Sequence, residues 1–310
     1  MNQLHLFLPC AAGVEGFLAD EVHAITGLEG HDLMVGRGGV HVRGMWRDAM
    51  LLNLHSRLSQ RVLVQLSQTL YRNEEDLYRA ASEVAWEIWF STRETFKIET
   101  TAQHSPLTSL NFAALRVKDA IADRFRAKRR DERPSVETRH PDVRVHLHLT
   151  TDEATIYIDT SGEALFKRGW REDKGDAPLK ETLAAAMIAA SGWNPHGDNP
   201  QPLYDPCCGS GTVVIEAAQI ARKIPAGILR RFAFEKLVPF QKHVWEIILD
   251  EAEAAILPES PVGIYGSDIS HRMVDFAERN AERAGVSKDV QLRGGDALQR
   301  MPPCDEPGMM

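Results

Sequence analysis

The chain has 310 residues, 43% of them apolar and 26% charged, which is the range of an ordinary globular protein long enough for two or more domains. Its formal net charge of −8 excludes a broadly basic, indiscriminate nucleic-acid binder but leaves room for a local basic patch. No apolar run reaches the roughly 18 residues of a membrane span, the start lacks the basic region of a leader, and Cys10, Cys207, Cys208 and Cys304 show neither metal-ligand spacing nor a disulfide framework. The expectation is a cytoplasmic protein with no membrane and no metal partner.

In chain order, alternation predicts a strand over 4–8. A helix follows over 16–25, with Phe17, Leu18, Val22 and Ile25 on one face. Residues 38–44 read as a strand between glycine turns, 47–58 as a helix and 61–66 as a strand. The pattern recurs with a helix over 73–85 and a strand over 95–101. A long amphipathic helix then covers 111–128, with Leu115, Val117, Ala120, Ile121 and Phe125 inward. Two alternating strands, 143–149 and 154–159, are joined by a turn at Thr151-Asp152-Glu153. His146 and His148 share one face of the first of these, as on a half-exposed sheet. This order of elements implies an α+β region, and an α/β pattern takes over from about residue 175.

The α/β part carries the chemistry. Leu203-Tyr204-Asp205 reads as a short strand ending in an acid; Pro206-Cys207-Cys208-Gly209-Ser210-Gly211 is a tight turn; and Thr212 opens a helix with Val213, Val214, Ile215, Ala217, Ala218 and Ile220. A cofactor site at the carboxyl end of the first strand of an open α/β sheet is built this way. A dinucleotide fingerprint needs a third glycine where Val214 stands, and Asp205 would repel a pyrophosphate. A cationic ligand such as S-adenosylmethionine suits that acid better. Residues 261–268 predict a second strand ending at Asp268, and 290–297 a third ending at Asp296-Ala297. An acid after the second strand can accept from ribose hydroxyls, and one after the third from an adenine amino group. Their bland reading is that both acids are helix N-caps.

Between the first two strands, residues 222–258 form a long excursion with Arg230 and Arg231 and an apolar cluster of Phe232, Phe234, Leu237, Phe240 and Trp245. It reads equally as a substrate-facing insertion or a surface excursion with its own small core. A second basic stretch gathers Arg124, Arg126, Lys128, Arg129 and Arg130 at the end of the long helix, interleaved with Asp123, Asp131 and Glu132. Such residues can neutralise phosphates or simply complement the helix dipole.

Several segments together carry a family resemblance: Gly38-Gly39-Val40-His41, Gly169-Trp170-Arg171, Ala177-Pro178-Leu179-Lys180-Glu181-Thr182 and Leu203–212, with Arg116-Val117-Lys118-Asp119, Pro141-Asp142-Val143 and Tyr265-Gly266-Ser267-Asp268. In this order they resemble the THUMP-domain RNA methyltransferases over essentially the whole chain. The resemblance implies a ferredoxin-like piece (1–46), a THUMP RNA-binding domain (47–160) and a Rossmann-like methyltransferase domain (161–310). It implies S-adenosylmethionine as cofactor and methylation of a guanine exocyclic N2 in 23S ribosomal RNA. It assigns Asp205–212 to the methionine side, Asp268 to the ribose and Asp296 with Ala297 to the adenine. It also places Lys180, Glu181 and Thr182 at the cofactor's border. The family's Asn/Asp-Pro-Pro-aromatic tetrapeptide, which holds the amine and stacks on the extruded base, is absent. The expectation is therefore an incomplete methyltransferase domain, truncated before its fourth strand, with its third strand left as an unpaired edge and the half beyond residue 175 less stable than the RNA-binding half. The alternatives are a non-catalytic RNA-binding module and, against the glycine spacing, a nicotinamide-dependent enzyme.

Overall fold

A computed structural model describes residues 3–129 and 131–310. The amino-terminal elements are β1 (Leu4–Pro9), α1 (Glu15–Thr26), β2 (Leu33–Gly36), β3 (Gly39–Gly44), α2 (Trp46–His55), β4 (Leu63–Leu70), α3 (Glu74–Glu83), β5 (Phe96–Ala102), α4 (Leu110–Lys128), β6 (Val143–Leu149) and β7 (Glu153–Asp159). They build one seven-stranded sheet in the order β2-β3-β1-β4-β7-β6-β5, antiparallel except for β5 on β6. The two small units expected before residue 160 thus share a single sheet. β4 joins them, pairing with β1 on one side and β7 on the other.

The helices bury one stripe each. On α4 the stripe is Ala113, Val117, Ala120, Ile121 and Phe125. Leu115, expected inward, is half exposed because two residues of helix rotate a side chain about 200° from its neighbour on the stripe. Phe17 on α1 is likewise exposed, while Leu18, Ala19 and Val22 are buried. β6 alternates as expected: Val143, Val145, Leu147 and Leu149 face the core, and His146 and His148 the other side. β2 had no separate sequence signal, since its Met34 and Val35 are exposed at the sheet's edge.

The second half contains α5 (Glu181–Ser191), β8 (Leu203–Asp205), α6 (Thr212–Ala221), α7 (Lys242–Ala254), β9 (Ile264–Asp268), α8 (His271–Arg283) and β10 (Val290–Gly294). The three strands are parallel in the order β10-β9-β8. The third strand, β10, is an edge, as expected. β8 is the other outer strand of the three. There Met309 pairs in parallel with Leu203, donating to the Pro202 carbonyl and accepting from the Tyr204 N–H at 2.8 Å.

Residues 222–258 do not form a separate cluster. Phe232, Phe234, Leu237, Trp245 and Ile248 join the core of the seven-stranded sheet. Backbone bonds fix them there: Gly227 to Leu54, Phe234 to Thr160 and Val238 to Trp89. A buried ion network ties the halves from the other side. Glu216 of α6 accepts from Arg168 at 3.0 Å and from Arg57 at 2.9 Å, and all three are buried or nearly so.

Candidate functional site

The glycine turn lies between the end of β8 and the start of α6. Gly211 has φ +89, and a Cβ there would stand 2.9 Å from the Cβ of Ala277 on α8, so both torsion and space demand glycine. Gly209 also has a positive φ, +53, but an added Cβ would meet nothing within 4 Å. The turn is therefore packed against α8 at Gly211 and faces open space at Gly209. Asn280 of α8 holds the Ser210 carbonyl at 3.0 Å.

The two first acids meet at this turn. Asp205 accepts from the Cys207 N–H at 3.0 Å, and Asp268 accepts from the Gly209 N–H and the Ser270 N–H, each at 2.9 Å. Asp268 is thus not the N-cap of α8, which is Ser270; it bonds the Ser270 N–H two residues on and holds the glycine turn across the strands. Burial raises the pKa of Asp205 above the usual carboxylate range, and the charge of nearby Asp268 raises it further. Burial and the same two carboxylates push the Cys208 thiol up to about 12, so it is an inert packing group.

A cleft of about 270 Å³ opens in front of the turn. Asp205, Cys207, Gly209, Ser210 and Thr212 line one side of it. The opposite wall is the segment 175–179 together with Met273, which the sequence reading had not assigned. The expectation for Lys180, Glu181 and Thr182 is shifted by a few residues. Glu181 is turned away onto Arg171 at 2.8 Å, and Lys180 faces a different cleft. Arg171 is a second residue that spacing alone did not expose. Its guanidinium also donates to the Thr212 hydroxyl at 2.7 Å and the Leu179 carbonyl at 3.0 Å. One side chain thereby sets the distance between the wall and the start of α6; the Gly169-Trp170-Arg171 string was its only sequence signal.

Asp296 and Ala297 follow β10, past Gly295. Asp296 caps its own turn by accepting from the Leu298 N–H at 3.0 Å. Ala297 and Pro206 line a second cleft with Tyr265 and Leu298, which shares no lining residue with the first. Of the ten residues expected around a cofactor, Asp205, Cys207, Gly209, Ser210 and Thr212 line the first cleft and Pro206 and Ala297 the second, while Gly211, Asp268 and Asp296 line neither.

The basic residues separate into paired and free. Arg124 is clamped on Glu87 at 2.7 and 3.1 Å and on the Ser82 carbonyl, which removes it from the expected phosphate surface. Arg126 pairs with Asp123, whereas Lys128 and Arg129 are exposed at the end of α4. Arg130 lies outside the described residues. Arg230 is also withdrawn from the expected surface. It donates to the carbonyls of Ala164, Lys167, Ser161 and Glu163, and burial lowers its pKa to about 10. Arg231 beside it is exposed. Sequence could not separate these, because a guanidinium that closes a loop and one that meets a phosphate look alike in a basic run. Among the described residues no helix is long and apolar enough to cross a membrane, and no three His, Cys, Asp or Glu side chains gather as metal ligands.

Known proteins share this arrangement. Residues 5–63 match the RlmL ferredoxin-like domain, 71–159 the THUMP domain and 168–304 the RMKL-like methyltransferase domain. Two proteins named ribosomal RNA large subunit methyltransferase K/L are similar along the whole chain. That of Psychromonas ingrahamii is 39% identical over 99% of this chain and 40% of its own length; that of Desulfotalea psychrophila is 38% identical over 100% and 43%. The chain spans about two fifths of the length of these curated relatives. Among solved structures, a predicted N6-adenine-specific DNA methylase from Listeria monocytogenes is 31% identical with a TM-score of 0.87, over 98% of this chain and 77% of that one. SMU.472, complexed with SAH, has a TM-score of 0.87 at 29% identity, over 98% and 78%.

Proposed function

This chain belongs to the family of THUMP-domain methyltransferases with a ferredoxin-like first domain, and from that premise we propose that its second half binds S-adenosylmethionine and its first half binds RNA. The observation that carries the cofactor reading is the glycine turn itself. Gly209 faces free space, Asp268 holds it from the neighbouring strand, and Asp205 stands at the strand end with a carboxylate in need of a cation. When bound, S-adenosylmethionine supplies an electrophilic methyl group. In this reading Asp205 faces the ligand's positive charge, with Pro206 and Cys207 shaping the turn and Ser210, Gly211 and Thr212 bordering the methionine end. Asp268 accepts from the ribose hydroxyls with the lone pairs its backbone bonds leave free, and Asp296-Ala297 border the adenine. Lys128 and Arg129 contact RNA phosphates.

The substrate proposed is a guanine exocyclic N2 of 23S ribosomal RNA; the relatives' names support large-subunit ribosomal RNA, and the guanine N2 rests on the family resemblance. No Asn/Asp-Pro-Pro-aromatic tetrapeptide occurs in the 310 residues, so these residues bind cofactor and RNA without performing the transfer. The test is calorimetric. S-adenosylmethionine and its demethylated product should bind and NAD should not, and Asp268→Ala should weaken binding by about 1–3 kcal/mol. Tighter binding of NAD than of S-adenosylmethionine would overturn the assignment.

A further inference from the structure

A third cleft, about 540 Å³, lies where the segment 163–181 meets Arg230 and Arg231. It adjoins the first, since Pro178 and Leu179 line both. Gly169 lets the chain pack closely against Leu229, next to Arg230: its φ is +102, and a Cβ would stand 3.0 Å from the Leu229 carbonyl. Seven cationic and three acidic side chains line the cleft, in a protein whose formal net charge is −8. The acids are already matched. Glu163 pairs with Arg144 and Lys167, Glu181 with Arg171, and Glu172 stands 3.7 Å from Arg283. Three of the cations are held in the wall: Arg168 on Glu216, Arg171 on Glu181 and Arg230 on backbone carbonyls. Lys174, Lys180 and Arg231 remain exposed, with Lys167 at the rim. One aromatic ring, Phe166, is part of the lining, and the Lys180 ammonium lies 5.3 Å from its centre.

A basic groove with an aromatic ring is what a single nucleic-acid strand needs: charge along the backbone and a face for a base. We infer that this cleft seats the single-stranded RNA that flanks the target nucleotide, with phosphates on Lys174, Lys180 and Arg231 and one base on Phe166. The inference rests on the reading of the neighbouring cleft as the methyl-donor site. Pro178 and Leu179 are then the short wall over which the next nucleotide passes to the donor. The ammonium of Lys180 gives up the ring face to the base and moves to the adjoining phosphate, a step its flexible stem permits.

The experiment is fluorescence anisotropy of the 310-residue chain with a short labelled single-stranded RNA over a salt series, beside calorimetry with S-adenosylhomocysteine. Lys174→Ala with Lys180→Ala should weaken RNA binding about tenfold at low salt and make the log–log salt slope shallower by about 1.4, the value for two single-strand phosphates. Phe166→Leu, which keeps the apolar volume and removes the ring, should weaken binding about tenfold with the slope unchanged. A 2-aminopurine base in the RNA should be quenched by the parent chain and not by Phe166→Leu. An unchanged slope in the lysine pair overturns the inference, as does loss of slope only in Lys128→Ala with Arg129→Ala, which would put the strand on α4. If S-adenosylhomocysteine binds and the cleft variants behave as the parent, the cleft is wrong and the cofactor reading stands. If the cleft variants respond and S-adenosylhomocysteine does not bind, the RNA seat stands and the donor reading fails.

Discussion

At Asp205 the folded chain keeps a carboxylate where charge is disfavoured. Burial and Asp268 both raise its pKa, so the native state holds its proton more tightly than the unfolded chain does. A raised carboxyl contributes stability below its unfolded pKa, and that stability is lost as pH rises through the folded value. Asp205→Asn should therefore raise the melting temperature of the ligand-free chain at pH 7.5, with little effect at pH 4. The same substitution should remove most of the melting-temperature gain from S-adenosylmethionine, because the cation loses its partner. Differential scanning calorimetry at both pH values checks the pair of effects; a variant less stable than the parent at pH 7.5 would contradict the assignment. Gly211 makes the opposite kind of demand. Alanine there must adopt φ +89 against Ala277, so Gly211→Ala should cost about 1–3 kcal/mol in urea unfolding.

Among the elements, α6 carries two loads. Its amino terminus follows the glycine turn, and one turn later Glu216 enters the contact with the amino-terminal half. Burial would raise the pKa of Glu216, but Arg168 and Arg57 outweigh it and hold the carboxyl below its usual range. Removing one partner of a buried network strands the others, so Glu216→Ala should destabilise the chain by about 3–5 kcal/mol. A depressed carboxyl gives stability above its unfolded pKa and loses it as pH falls through the folded value. The parent should accordingly lose stability below about pH 4.5, and Glu216→Ala should show a flatter acid limb in denaturation followed by circular dichroism.

For the whole molecule, the segment between α6 and β9 matters most. It belongs by chain order to the second half and by packing to the first, since Phe232, Phe234 and Trp245 lie in the core of the seven-stranded sheet. The expectation that everything beyond residue 175 is the less stable part is therefore refined. Hydrogen exchange should show α7 protected together with α4 and β6, and β8 to β10 opening at lower free energy. Protection of α7 matching that of β9 instead would mean that its contacts with the first core contribute little. At the same scale, the proposal that these residues do not perform the transfer predicts that the 310 residues incubated with tritiated S-adenosylmethionine and unmodified 23S RNA incorporate no label, since positioning of the amine is worth several orders of magnitude in rate. Enzyme-dependent label at a guanine N2 would show that another group serves that role.

Local pattern was enough for most strands and helices, for the turn at 206–211 and for the three acids, because period, glycine spacing and strand-end acids are properties of neighbouring residues. Family resemblance added the cofactor and the RNA. Three things depended on contacts distant in sequence. That β10 is an outer strand and that Met309 pairs beside β8 follow from strand order, which no single strand encodes. Arg124 and Arg230 are separated from Lys128 and Arg231 only by what they touch: Glu87 and four carbonyls in one case, and in the other solvent, with a single exposed contact from Arg231 to Glu235. The wall at 175–179, the bracing by Arg171 and the basic cleft around Phe166 all arise where segments tens of residues apart are brought together. Charge and burial at such places are set by the packing of the whole chain, and only the tertiary structure decides them.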